Sequence, residues 1–318
     1  MNINFFKRVI LFLCTTCIIM FTTRVIVTAN ERWEDHPEWL WFDSFESSDA
    51  IKKKYQDVSM SGISITTADA LQGERSLCQH YNIGQVDAGW IIHVSNQGFP
   101  SHLFMRWYHK FENGFIGFPP KMARMRYRPR TGDWNSQFEL NCWIDKGLVV
   151  ADVKALNSTQ ANSAGWLAKT TSKFSFNDNK NIGRWVCFEV ELFLNSPGKT
   201  DGAYRIWADD SLIVELMNVD LRGSKNYLVN EVMLDGYWNA GSPKEQNRYY
   251  DNFVISTKRI GRAVASSVKI EHSNSKNSLT AKKSSRLIID KMHCPFLSEK
   301  KYNGTDRKYL LSGALLVK

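Results

Sequence analysis

The densest chemical signal in the chain is a run of cations, Lys121, Arg124, Arg126, Arg128 and Arg130. In an extended segment alternate side chains share a face, so the four arginines predict a row of guanidinium forks shaped for carboxylates or sulfates. Such a row suits a uronic-acid or sulfated glycan. Paired instead with Glu139, Glu189 and Glu191, or left in solvent, the same arginines would be structural. Pro129 confines the end of the run to a sheet edge or a strand end.

Aromatic rings add a second signal, because the chain holds 11 Trp and 11 Tyr. Flat rings stack on the apolar faces of sugars while amides bond the hydroxyls. Trp143 alternates with Phe138, Leu140, Cys142 and Ile144, on the same parity as Gln137, Glu139 and Asn141. Tyr237 and Trp238 open a loop-like Tyr-Trp-Asn-Ala-Gly stretch. Trp143, Asn141, Gln137, Tyr237 and Trp238 are therefore candidate sugar contacts, beside Arg124 and Arg126 for the acid groups.

Elements able to hold these residues read as β throughout. Leu103 to Phe111 and Trp185 to Leu194 alternate at period two, with Val186, Phe188, Val190, Leu192 and Leu194 facing one way and Cys187, Glu189 and Glu191 the other. Ala203 to Ala208 and Leu212 to Met217 flank Asp209-Asp210-Ser211, a turn that closes a hairpin, and Asp145-Lys146-Gly147 signals another. No comparable run has the helical period. The pattern predicts an all-β, two-sheet antiparallel jelly-roll sandwich over residues 30–261.

Charge argues against nucleic acid. The chain of 318 residues carries a net +9, but three cations fall in the first 29 residues and residues 262–318 hold a net +8, leaving the body at −2. Residues 1–29, with an apolar run after Lys7 and Arg8 and a small-residue site at Val27-Thr28-Ala29, read as a cleaved secretory signal peptide. That predicts a secreted, extracellular or periplasmic protein with no membrane span after cleavage. Residues 262–318, rich in Ser, Lys and Asn, read as a basic, poorly ordered tail. Four cysteines outside the signal, Cys78, Cys142, Cys187 and Cys294, allow three disulfide pairings or four thiols. No zinc spacing, G-x-S-x-G elbow, P-loop or G-x-G-x-x-G occurs. The expectation is no metal and no cofactor, since nothing in the sequence supports a structural calcium ion, and a monomer whose partner is an acidic polysaccharide.

Phe104 to Phe115, the Pro119-Pro120-Lys121 loop running on to Arg126, Asn195 to Trp207, and Tyr237 to Lys244 leading to Tyr249–Val254 together resemble the concanavalin A-like jelly-roll polysaccharide lyases related to alginate and glucuronan lyases. The likeness runs in order from about Trp41 to Gly261. It implies a jelly roll with a concave substrate sheet, and cleavage of uronate polymers by β-elimination: a cation neutralises the carboxylate, a base takes the α-proton and an acid protonates the leaving oxygen. By the resemblance, Lys121 matches the lysine of the loop over the cleft. The Ser-x-Arg and Tyr-x-Tyr pairs of those alginate lyases have no counterpart here, since no tyrosine lies between Tyr127 and Tyr204. Substitute bases are His109 and Tyr108, and substitute acids Tyr237, Tyr249 and Tyr250. Three functions stay open: an acidic-polysaccharide lyase with Lys121, His109, Tyr249 and Tyr250 as catalytic candidates, a non-catalytic glycan-binding or adhesion protein, and a hydrolase of laminarinase type using Glu189 and Glu191.

Overall fold

The computed structural model describes residues 35–48, 51–129, 138–167 and 169–263, together with the backbone of two short strands at 268–269 and 288–289. Gln137, Arg130, Cys294, the expected signal peptide and nearly all of the expected tail lie outside the described residues.

Residues 28–264 form one unit. Its elements are β1 (Trp39–Asp43), α1 (Ile51–Lys54), β2 (Asp57–Ser59), β3 (Ile63–Thr66), β4 (Ser76–Tyr81), β5 (Asp87–Val94), β6 (His102–Phe111), β7 (Lys121–Tyr127), β8 (Phe138–Asp145) and β9 (Leu148–Ala155). They continue with β10 (Thr170–Ser175), β11 (Val186–Phe193), β12 (Gly202–Ala208), β13 (Ser211–Val219), β14 (Glu231–Tyr237) and β15 (Gln246–Ser256). In a separate unit β16 (Val268–Lys269) pairs with β17 (Ile288–Ile289).

The main unit is the expected jelly-roll sandwich. One sheet has eight strands, ordered β13-β12-β11-β6-β15-β4-β3 with β1 on the far half of β15; the other has seven, ordered β10-β9-β8-β7-β14-β5-β2. Every pairing in both is antiparallel. Turn chemistry explains the hairpins. Asp209 and Asp210 both take positive φ (48° and 65°), as do Lys146 and Gly147 (49° and 83°), the handedness that a two-residue hairpin needs to match strand twist.

The core lies between the sheets. Val186, Phe188, Val190 and Leu192 of β11 are completely buried there, meeting Phe138, Leu140 and Cys142 of β8 in one apolar cluster. Glu189 and Glu191 point the other way and are occupied: Glu189 accepts the N–H groups of Ile260 and Gly261 at 2.7 and 3.0 Å, and Glu191 holds His102 and Arg205 at 2.8 and 2.7 Å. This corrects their assignment as a hydrolase pair, because both carboxylates are committed to structural partners on the outer face of the eight-stranded sheet. Cys78, Cys142 and Cys187 are buried free thiols, so no disulfide joins them, and burial pushes the Cys78 and Cys187 thiols up to about 12.

One buried acid makes stability depend on pH. Asp251 of β15 accepts the backbone N–H groups of Leu71, Gln72 and Asn252, which fastens the 67–75 loop to the strand, yet burial drives its carboxyl up to about 7. The folded pKa lies above the unfolded value of about 3.9, so the native state binds the extra proton between the two. Its contribution, of order a few kcal/mol, is complete below about pH 4 and is lost as pH rises through 7. Unfolding measured from pH 4 to 8 should show wild type losing ground to Asp251→Asn as pH rises; parallel curves would refute the assignment.

Candidate functional site

The outer face of the seven-stranded sheet gathers most of the residues expected to contact sugar. Because Ala123 and Met125 of β7, Leu140 and Cys142 of β8, and Ala151 and Val153 of β9 face the core, their neighbours Arg124, Arg126, Glu139, Asn141, Trp143, Asp152 and Lys154 face outward. Register then sets them in rows: Lys121 stands opposite Trp143, Arg124 opposite Asn141, and Asn141 opposite Asp152. A register shift between Lys121 and Ala123 lets the lysine share the outward face with Arg124.

Lys121 is the chemically distinctive group. Its ammonium sits 3.9 Å from the Tyr237 ring centroid and 5.8 Å from that of Trp143. Burial pulls its pKa below the usual lysine value, a shift opposed by Asp235, reinforced by Arg124 and opposed again by Glu139. Among the described residues it makes no ion pair, whereas the arginines beside it are closed into pairs. Arg124 bonds Asp235 and lies 3.7 Å from Glu139; Arg126 bonds Glu231; Arg128 reaches Glu231 at 2.6 Å and Asp57 at 3.3 Å. The expected row exists, but its members are compensated, and Arg126 at 0% exposure touches no solvent. Its assignment as a polymer contact is corrected for that reason. Arg124, at 7%, stacks its guanidinium 5.6 Å from the Trp143 centroid.

Asn141 is unusual in another way. It is fully buried on this face, and neither its amide oxygen nor its nitrogen has a hydrogen-bond partner among the described residues; the Trp143 indole N–H has none there either. An amide in that state holds an unused donor and an unused acceptor side by side.

The remaining candidates are not brought to this face. His109 is fully buried between the sheets, its ring packed on Phe111, Phe176, Phe188 and Tyr250, and burial holds its pKa well below the histidine range. It cannot exchange protons with a surface polymer. Tyr250 is also interior, donating its hydroxyl to the Met122 carbonyl at 3.3 Å, with its pKa raised by burial. Tyr249 faces the outside of the other sheet near Trp185, and burial pushes its phenol up to about 12. Tyr108, likewise on that sheet, accepts the Ala263 N–H at 2.6 Å. Trp238 is core: 5% exposed, edge-on to Tyr81 and stacked over Phe115. Gly117 at φ 64° closes over it, since a Cβ there would come within 2.9 Å of the indole. Tyr237, one residue earlier, points outward.

Beneath the site lies a support that sequence reasoning missed. Arg248 of β15 crosses the interior, donates to Gln79 Oε1 at 2.6 Å and to the Lys121 carbonyl at 2.9 Å, and bonds the Asp235 carbonyl. Tyr81 adds a bond to the Gly236 carbonyl at 2.9 Å. The two sheets are thus tied together directly below Lys121 and Tyr237. Asp152 was missed too, although the alternation of Val149, Ala151 and Val153 already sets it on the outward parity; burial raises its carboxyl, with Lys169 3.8 Å away opposing.

The architecture matches solved polysaccharide lyases. The alginate lyase vAL-1 from Chlorella virus superposes with a TM-score of 0.52 at 17% identity, covering 66% of this chain and 98% of that one. The marine PL-14 alginate lyase from Aplysia kurodai gives 0.52 at 16%, covering 69% and 99%, and the endo-β-1,4-glucuronan lyase from the fungus Trichoderma reesei 0.46 at 16%, covering 70% and 93%. No protein-family model and no curated protein matches the sequence. At these identities the likeness to the two alginate lyases establishes the fold: a jelly roll of the kind they use.

Proposed function

We propose that the protein acts on an acidic polysaccharide, seating a uronate carboxylate on Lys121 along the outer face of the seven-stranded sheet, and that it cleaves the polymer there by β-elimination. The observation that carries this reading is the half-buried Lys121 ammonium, set near the Tyr237 and Trp143 rings with no carboxylate paired to it among the described residues. A substrate carboxylate supplies the missing counter-charge and makes the neighbouring C–H acidic enough to ionise. Tyr237, whose ring centroid lies 3.9 Å from that ammonium, is the phenol assigned to the proton transfers. Its oxygen takes the α-proton and returns it to the glycosidic oxygen as the C–O bond breaks, leaving a carbon–carbon double bond in the new end. Export through the N-terminal signal belongs to the same proposal.

A second reading, a glycan-binding protein without catalysis, is favoured by one finding: His109, Tyr249 and Tyr250 all lie off this face. Incubation with a panel of uronate polymers separates the two. Elimination produces unsaturated ends, read by ultraviolet absorbance; tight binding without them supports the second reading, and neither binding nor product from any acidic polymer refutes both.

A further inference from the structure

A line drawn from Lys121 along β7 meets closed groups, since Arg124, Arg126 and Arg128 all hold carboxylates. A line drawn across the strands meets aromatic rings. Trp90 of β5 stands opposite Asp235 of β14, and Leu234, the residue before Asp235, stands opposite Ala123 of β7. Asp235 therefore falls beside Lys121, whose pKa it helps to hold up, and Lys121 stands opposite Trp143 of β8. Trp90 faces outward with Asp235, because the neighbouring pair Ile91 and Leu234 is in the core. Three interstrand steps put the Trp90 and Trp143 positions about 14 Å apart, with Lys121 between them.

Both indoles are half-buried, whereas Trp39, Trp107, Trp207 and Trp238 are buried. The Trp90 N–H donates to Asp57 Oδ1 at 3.0 Å, and Asp57 stands opposite Ile92, so the bond draws the ring along the sheet toward Ile92. Ile92 is completely buried although it lies outside the core cluster between the sheets. A ring laid down in this way covers apolar floor with one face and turns the other to solvent, the posture in which indoles stack on sugar rings. A third half-buried indole, Trp166, bridges Lys154 beyond β9 and lies off the row. The Lys154 ammonium sits 5.7 Å from its centroid.

We propose that Trp90 is a distal stacking platform for the acidic polysaccharide, which lies across the strands from Trp90 to Trp143 with one uronate on Lys121 between them. The proposal rests on the Lys121 reading above. The span of about 14 Å takes a run of roughly three sugars, so the site favours chains over fragments. A disaccharide anchored on Lys121 reaches Trp143, one strand away, and falls short of Trp90, two strands away on the other side. Lys121 holds a carboxylate while the indoles hold ring faces, so charge and stacking act on different parts of the polymer.

Titration calorimetry of the full chain with disaccharides and hexasaccharides of polyglucuronate, polymannuronate and hyaluronan tests this. For a polymer that binds, the hexasaccharide should bind at least about tenfold tighter than the disaccharide. Trp90→Ala should weaken the hexasaccharide by about five- to tenfold and leave the disaccharide unchanged, Trp90→Phe should keep more of that affinity, and Trp166→Ala should move neither. Oxidation of exposed indoles by N-bromosuccinimide, read by mass spectrometry on the wild-type chain, requires no variant to fold. There the hexasaccharide should protect Trp90 and Trp143 and leave Trp166 reactive. A hexasaccharide that binds without protecting Trp90, or that binds Trp90→Ala as tightly as wild type, overturns the proposal; the Lys121 reading survives it when Lys121→Ala still weakens binding. Failure of every hexasaccharide to bind, or undiminished affinity in Lys121→Ala, overturns that reading and this inference with it.

Discussion

Replacing Lys121 with alanine is expected to weaken binding of an acidic polysaccharide by roughly ten- to a hundredfold, the worth of about 1.5–3 kcal/mol for a charge-assisted contact, while leaving the fold intact. The two halves of this expectation have different causes. Affinity falls because Lys121 forms no ion pair among the described residues, unlike Arg124, Arg126 and Arg128 beside it. Stability holds because burial already disfavours the ammonium, as its lowered pKa records, and removing it relieves desolvation. If elimination occurs, turnover disappears with the charge, and Lys121→Arg restores binding more than turnover, since a planar fork cannot occupy the same position over the Tyr237 ring. Titration calorimetry and unfolding on one preparation check both halves. Undiminished affinity in Lys121→Ala would place the uronate site elsewhere.

Arg126→Ala should do the reverse. Arg126 and Glu231 are 0% and 2% exposed and bonded to one another on the sheet, so truncating one leaves the other charge buried with part of its compensation gone. Such a loss costs about 3–5 kcal/mol, and for a unit of this size each kcal/mol lowers Tm by about 2–4 °C, giving a drop of roughly 6–20 °C. Glycan affinity per folded molecule should scarcely move. A variant of normal Tm and much weaker binding would instead return Arg126 to the binding surface. Arg128, which shares Glu231 at 2.6 Å, softens the effect, so the drop belongs in the lower half of that range.

Much of this arrangement is legible in alternation alone. The parity of β8 by itself separates Leu140 and Cys142 from Asn141 and Trp143, and the same reading of β11 gives its core residues. His109 shares parity with Leu103, Met105, Trp107 and Phe111, four core residues of β6, so alternation places it inside even though its chemistry suggests a surface base. Tyr250 is not legible in the same way, because alternation in Arg248-Tyr249-Tyr250 offers no way to tell that the side carrying an arginine is the inner one. The closing of the arginine row could not be read locally at all. Its partners Asp235 and Glu231 are 111 and 105 residues away, and only the pairing of β14 with β7 brings them alongside. Trp238 looked like a loop residue, and becomes core because the turn that holds it folds back beneath Gly117.

The interior guanidinium of Arg248 grips main-chain carbonyls, at Lys121 and at Asp235, rather than the side chains those residues present outside. A clamp on the backbone is indifferent to what each position displays. The outer face therefore behaves as an interchangeable plate on a fixed mount: its surface chemistry can be rewritten by substitution while the height and tilt of the strands below stay set from the far layer. A fold shared with alginate lyases at 17% identity or less is what such a division of labour between mount and plate allows.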